Sequence, residues 1–247
     1  MPLSFPADER YGAADFMPAD CNAQALSWVA RWPDWPGPVL CLHGPAGCGK
    51  THLLHIWAAR SGARLIDGGE LDADSVWDLA GRPVAIDRAD RIRDEAALLH
   101  LYNLQREAAL TDTVATIATD DNASSAPNRR PHLLMAAQQP PNRWGIALPD
   151  LASRLATVPA VGIDAPDDGL LSALLVKHAA ARHLDLPPEV IRYLVQRIER
   201  SFHAAEEVVA ALDRTAIAGR RRRVTLAMAS RLLKPSQATD AEPDRQA

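Results

Sequence analysis

Eight consecutive residues, Gly44-Pro45-Ala46-Gly47-Cys48-Gly49-Lys50-Thr51, hold the clearest chemistry in this chain. They fit the pattern G-x-x-x-x-G-K-[ST], in which a glycine-rich turn offers successive backbone N–H groups to phosphate oxygens. Gly44, Gly47 and Gly49 let the backbone curl around a phosphate with no Cβ in the way. Lys50 brings a positive charge to the β/γ oxygens, and the Thr51 hydroxyl suits a magnesium ion. Pro45, Ala46 and Cys48 fill the variable positions, Cys48 as a tolerated small residue. The metal needs a second partner, an acid at the end of a neighbouring strand. Asp87, closing Pro83-Val84-Ala85-Ile86, is that acid. Rapid hydrolysis usually takes a further acid beside it to position the attacking water. Arg88 stands there instead, and Asp90, the next acid, reads as a helix-start residue. The expected ligand is a nucleotide with Mg2+, bound well and hydrolysed slowly.

Such a loop works only between a strand and a helix, because the helix N-terminus adds its positive dipole end. Val39-Leu40-Cys41-Leu42 before it is a short apolar run suited to a buried parallel strand. A helix from Lys50 to about Arg60 follows and ends near Gly62. Arg64-Leu65-Ile66-Asp67, Pro83–Asp87, His132–Ala137 and Val158–Ile163 read as further strands. Helices are expected at Ala23–Ala30, Ser75–Leu79 and Asp94–Ala109. Strands alternating with helices predict an α/β fold, a five-stranded parallel sheet with helices on both faces. Trp32-Pro33-Asp34-Trp35-Pro36-Gly37-Pro38 is a stiff turn whose tryptophans are expected to pack on that sheet. Thr111–Arg130, which contains Asp120-Asp121-Asn122-Ala123-Ser124-Ser125-Ala126-Pro127-Asn128, reads as a surface-loop insertion.

Beyond Asp164-Ala165-Pro166 only helical spacing is found. Leu170, Leu171, Leu174 and Leu175, then Val190, Leu194 and Ile198, then Ala205, Val208, Val209 and Leu212 form apolar stripes. Thr225–Leu233 makes a fourth helix. The domain plan is therefore a core over 1–163, with a flexible segment 1–10 and the 111–130 insertion, a helical domain over 164–234, and a disordered tail over 235–247.

Composition narrows the function. With 47% apolar and 23% charged residues the chain is ordinary for a soluble globular protein. No run approaches the roughly 20 apolar residues of a membrane helix, and Met1–Arg10 lacks a signal-peptide plan, so a cytoplasmic protein without membrane attachment is expected. Cys21, Cys41 and Cys48 show no zinc or redox spacing. The net charge of −4 argues against direct sequence-specific DNA binding.

These motifs, with the helical domain behind them, resemble the AAA+ ATPases, and within them the replication initiator DnaA group. Asp15-Phe16 with Asn22-Ala23 looks like that group's adenine-wrapping segment, which makes Asn22 a nucleotide contact. Gln139-Pro140-Pro141 resembles its (R)PP turn. Leu148-Pro149-Asp150-Leu151-Ala152-Ser153-Arg154-Leu155 looks like the segment carrying the arginine finger, so the resemblance makes Arg154 a catalytic group that acts in trans. The match covers about residues 11–234 and leaves no room for a helix-turn-helix DNA-binding module, which is similar to Hda/HdaA proteins, the regulatory inactivators of DnaA. That likeness implies ADP or ATP as the bound nucleotide, a helical lid, DnaA as partner and the DNA polymerase sliding clamp as platform. The clamp contact falls on Leu3-Ser4-Phe5, although the glutamine that begins such a motif would have to precede Met1. A lid cation facing the nucleotide is implied as well, for which Arg200 and His203 are the candidates; Gln138 stands near the place of a polar sensor after the fourth strand. A homodimer stays open, and the run Arg220-Arg221-Arg222-Arg223 reads as a solvated loop. An autonomous AAA+ motor or loader acting in DNA replication is the alternative, and a small-molecule kinase a distant third.

Overall fold

The computed structural model describes residues 11–118, 131–218 and 222–233, and the chain divides into two units, Met1–Ala165 and Pro166–Ala247. The first unit runs α1 (Asp20–Arg31), β1 (Val39–His43), α2 (Lys50–Ser61), β2 (Arg64–Asp67), α3 (Ala73–Leu79), β3 (Val84–Asp87), α4 (Glu95–Ala118), β4 (Leu133–Ala137), α5 (Pro149–Ala156) and β5 (Ala160–Gly162). The five strands are parallel, in the order β2-β3-β4-β1-β5. The strand that feeds the glycine loop is thus paired along both edges, by β4 and β5.

Strand side chains alternate between faces, and here both faces are apolar. Val39, Cys41, Val84, Ile86, Leu133 and Met135 share one core with Leu98 and Leu101 of α4 and Leu151 and Leu155 of α5. The alternate residues Leu40, Leu42, Ala85, Leu134 and Ala136 are also buried, on the side where α2 packs with Leu53, Leu54 and Trp57. Each leucine so enclosed contributes about 1.5–3 kcal/mol. Trp32 and Trp35 close the base of this second layer. Trp35 stacks on Trp57 with 5.6 Å between ring centroids, Trp32 meets Trp57 edge-on, and His132 stands edge-on to both. They are core residues, held further by a 2.7 Å hydrogen bond from Trp35 Nε1 to the Trp28 carbonyl.

Several boundaries differ from expectation. α1 starts at Asp20, and α4 runs on to Ala118, so the stretch expected as an insertion from Thr111 begins inside a helix. Glu95–Ala118 contains neither Gly nor Pro, and its late Thr and Val residues lower helix propensity by only tenths of a kcal/mol each, roughly. Residues 119–130 lie outside the described residues, as do Leu3-Ser4-Phe5, Arg220, Arg221 and the 235–247 tail. β5 is only three residues long, because Val158 still closes the turn of α5 by donating to the Leu155 carbonyl.

The second unit holds α6 (Asp168–Ala181), α7 (Pro188–Val195), α8 (Phe202–Ala218) and α9 (Leu226–Leu233). Asp167 caps α6, its Oδ1 accepting from the Leu170 N–H at 2.7 Å, a contact of about 1 kcal/mol. Leu171, Leu175, Leu194, Val209 and Leu212 are buried where α6 meets α7 and α8 and where α9 closes on both. Of the arginine run, Arg222 and Arg223 are structural: the Arg222 carbonyl accepts from Asp185 N–H and Arg223 Nε faces Asp185 Oδ2 at 3.6 Å. Among the described residues no helix is long and apolar enough to cross a membrane.

Candidate functional site: a phosphate loop on the central strands

The loop leaves β1 clamped from both sides. Gly44 N–H donates to the Ala137 carbonyl at the end of β4, and Ile163 N–H, just past β5, donates to the His43 carbonyl at 2.8 Å. Gly44 has φ 156°, and a Cβ there would stand 2.5 Å from the Ile163 carbonyl oxygen. Gly49 has φ 95° and lies under the Phe16 ring, which a Cβ would meet at 3.1 Å. Both positions therefore require glycine. Gly49 also begins α2 without any side-chain cap, which leaves the first-turn N–H groups of a 12-residue helix to an anion.

Lys50 is 9% exposed, and its Nζ donates to the Gly44 and Pro45 carbonyls at 2.8 and 2.7 Å. Cys48 is more than the filler expected of it. Its buried Sγ lies 3.4 Å from Lys50 Nζ and beneath Gly44, so it closes the loop from inside. Burial pushes its thiol pKa up, the Lys50 charge working against this. Pro45, Ala46 and Gly47 form the loop's outer turn. Thr51 Oγ1 donates to Asp87 Oδ2 at 2.7 Å, which joins the two expected metal partners across α2 and β3.

Beyond Asp87 the chain turns sharply. Arg88 has φ 52°, its N–H donates to Asp87 Oδ1, and its guanidinium pairs with Asp67 at the end of β2. Gly68 makes this possible, since a Cβ there would collide with the Arg88 carbonyl. Asp90 does not start a helix. It sits in the 3-10 turn Ala89–Arg91, and its Oδ2 accepts from the Gln138 N–H at 2.9 Å. Parallel β3 and β4 end side by side, so the first amide beyond β4 has no sheet partner and finds this carboxylate instead. Gly47, Lys50, Thr51, Asp87, Asp90 and Gln138 line a cleft of ≈ 340 Å³. A hydroxyl, a carboxylate and ligand phosphates are what a magnesium ion takes. Among the described residues no group of three or more His, Cys, Asp or Glu side chains could hold a metal by itself, so the ion would arrive with phosphate. The residues fit a nucleoside phosphate with Mg2+.

Asn22 takes a different role from that expected. It is 2% exposed, its Oδ1 accepts from Ala19 N–H and its Nδ2 donates to the Met17 carbonyl, both at 2.9 Å. Through these two bonds it shapes the Phe16–Asn22 segment. That segment is fastened to α2 by groups the sequence did not single out. Tyr11 stacks on His55 at 4.4 Å, Phe16 meets His52 edge-on, and His52 Nε2 lies 2.8 Å from the Gly12 carbonyl. His43, half-buried at the end of β1, also escaped notice. Burial holds its pKa down, with Lys50 and Arg143 acting the same way and Asp164 opposing.

Arg154 is on α5, away from the cleft lining. Its Nε bonds Asp150 Oδ1 at 3.0 Å one turn earlier, and its guanidinium lies 6.0 Å from the Tyr102 ring. Arg200 and His203 belong to the second unit, at the start of α8. Arg200 pairs with Asp168 at 2.9 Å, and His203 Nε2 lies 3.2 Å from Glu207.

Residues 167–231 match the family described as "Hda, lid domain". The whole fold is similar to domain III of the Thermotoga maritima replication initiation protein DnaA, at TM-score 0.68 and 16% identity over 94% of this chain and 100% of that one. It is similar to AMPPCP-bound DnaA from Aquifex aeolicus, at 0.60 and 17% over 86% and 68%. It also resembles the Thermotoga maritima RuvB Holliday junction branch migration motor, at 0.62 and 16% over 90% and 70%. At such identities these likenesses establish the fold, a parallel AAA+ sheet with its helices and a helical lid.

Proposed function

We propose that this Hda-like, DnaA-related AAA+ protein binds an adenine nucleotide at the Lys50–Thr51–Asp87 cleft and regulates DnaA in trans. Working with the DNA polymerase sliding clamp, it presents Arg154 to ATP bound by DnaA, stimulates that hydrolysis and so restrains repeated initiation of chromosome replication. The reading is supported chiefly by sequence order: residues 167–231, which match the Hda lid family, follow the phosphate-binding unit in the chain, and the position next to Asp87 is a cation. Arg88 occupies the place beside Asp87 where a second acid would stand, and Asp90, three residues past Asp87, already accepts from the Gln138 N–H, which supports slow turnover in this chain.

The loop amides and Lys50 hold phosphate, and Thr51 with Asp87 would hold Mg2+, which neutralises phosphate charge when bound. The bound nucleotide serves to set the shape of the protein more than to be consumed. Arg154 acts elsewhere. A guanidinium brought to a partner's γ-phosphate stabilises charge developing in phosphoryl transfer, an effect of about 10³–10⁵ in rate. Before that, Asp150 holds the same guanidinium in place. Arg200 and His203 are the two lid groups proposed to sense the nucleotide, and Leu3-Ser4-Phe5 the segment that meets the clamp.

The test measures hydrolysis of DnaA-bound ATP with clamp-loaded DNA, with this protein present, absent or carrying Arg154→Ala. Stimulation that disappears in the variant is the expected result. Strong ATP turnover by this chain alone, unaffected by Arg154→Ala, would replace the reading with an autonomous motor, as the RuvB likeness of the fold allows. Pull-down with sliding clamp, using a chain extended upstream of Met1, tests the clamp contact separately.

A further inference from the structure

A second cleft, of ≈ 510 Å³, opens in the first unit at the N-terminal ends of β1 and β5, the opposite end of the sheet from the phosphate loop. Its surface is polar and apolar in nearly equal parts: Trp35, Pro38, Tyr102, Leu110 and Pro159 line it, with Arg106 at its side. Two observations distinguish it from a surface irregularity. Leu110, on α4, is 65% exposed, a large apolar side chain in the lining of the cleft. The Tyr102 ring carries two guanidinium groups, Arg106 at 5.9 Å and Arg154 at 6.0 Å from its centroid. Arg154 is balanced by Asp150, whereas Arg106 is exposed and has no ion-pair partner among the described residues.

We infer that this cleft is a docking site for a short polypeptide segment of the partner that receives Arg154, a segment bearing an apolar side chain next to a carboxylate. The apolar side chain enters between Trp35, Pro38 and Pro159 while Arg106 takes the carboxylate, in the bidentate geometry that guanidinium favours. The inference rests on the trans reading of Arg154, and Tyr102 is the link: one buried ring fixes the position of the docking cation and of the finger together. Anchoring the partner at Arg106 therefore limits where Arg154 can reach. A buried aromatic and an arginine beside a cleft of mixed polarity is the composition found where interface energy concentrates. Arg106 is thus a positioning residue, with no part in the chemistry itself.

The measurement is direct binding of this protein to ATP-loaded DnaA, alongside stimulated hydrolysis as the protein is titrated. Arg106→Glu and Leu110→Asp both alter exposed side chains, and retention of adenine-nucleotide binding reports that each variant is folded. Each is expected to weaken DnaA binding roughly tenfold or more and to raise the half-saturating concentration by the same factor, with the maximal rate kept. Arg106→Lys, which keeps the charge, should recover most of that loss. Arg154→Ala should show the reverse pattern, a lost maximal rate with binding little changed. If Arg106→Glu and Leu110→Asp overlay the unaltered protein while Arg154→Ala loses stimulation, the docking site is refuted and the trans reading survives. If the unaltered protein binds DnaA without stimulating it, and Arg106→Glu abolishes that binding, the cleft stands and the finger falls. No binding to DnaA at all overturns both. Self-association lost in Arg106→Glu would assign the cleft to a second copy of this chain and overturn the inference.

Discussion

Gly68→Ala tests how the metal side of the cleft is built. Gly68 is buried where the chain leaves β2, and a Cβ there would press on the Arg88 carbonyl and stand 3.2 Å from Ala89 Cα. Both obstacles are backbone, so no flexible side chain can step aside. The ends of β2 and β3 would have to separate by about half an ångström or more, and overpacking of this kind costs about 1–3 kcal/mol. For a chain of this size that is a fall in Tm of roughly 4–8 °C at 2 kcal/mol. The displacement should be felt most at Asp87, which precedes Arg88 and accepts the 2.7 Å hydrogen bond from Thr51. Gly81→Ala serves as the control. Gly81 has φ 70° but open space around its missing Cβ, so it meets backbone strain of about 1 kcal/mol with no neighbour to push. Calorimetry and a fluorescent-ADP titration with Mg2+ would read both effects. Gly68→Ala should lose stability and Mg2+-dependent affinity together, Gly81→Ala a little stability alone. A Gly68→Ala protein that binds nucleotide as tightly as the parent would refute the reasoning.

Other outcomes follow from the same geometry. Asp87→Asn keeps an acceptor for the Thr51 hydroxyl but removes the charge, so stability should hold while the gain in ADP affinity on adding Mg2+ disappears; an unchanged Mg2+ dependence would show that the ion sits elsewhere. Trp57→Ala should cost about 3–5 kcal/mol, because this fully buried ring supports both Trp32 and Trp35. Trp57→Phe should cost clearly less, since among the described residues the indole N–H has no hydrogen-bond partner to lose, and denaturant unfolding of the pair would check the ranking. His43 and His178 both have pKa values held below 6.5, His178 by burial with Arg182 and Lys177 adding and Glu206 opposing. The unfolded chain then binds protons that the folded chain resists, so stability should fall as pH drops from 6.5 through this window. Melting temperatures between pH 7.5 and 5.5 would show the slope, and His178→Gln should reduce it.

Much of this organisation was legible in the sequence because its signals are local. The β1 run, the glycine loop and the Gly62 stop delimit one strand–loop–helix unit, and Gly62 does take the left-handed cap at φ 70°. Asp87 was found by the same logic, as the acid closing an apolar run. What escaped depends on contacts far apart in the chain. Nothing around Asp90 discloses that Gln138 lies beside it, because that follows from β3 and β4 being neighbours in the sheet. Asn22 looked like a ligand contact, but its partners Met17 and Ala19 make it a brace for the turn before α1. The Thr and Val residues after Ala109 masked the continuation of α4. Asp67-Gly68-Gly69 was the missed cue: paired glycines after a strand can mark a close backbone approach as well as a loop.

The contact between Gly44 and Ile163 has a mechanical consequence. The glycine's bare Cα lies against the carbonyl of the residue that follows β5, and the hydrogen bond from Ile163 to His43 ties the same two strands together. Two residues further on, the chain passes out of the first unit at Ala165. A shift at the end of β5 is therefore felt at the start of the anion cradle, and a change in that cradle displaces the end of β5 in return. One carbonyl thus joins the last strand of the sheet to the anion cradle, with no side chain between them.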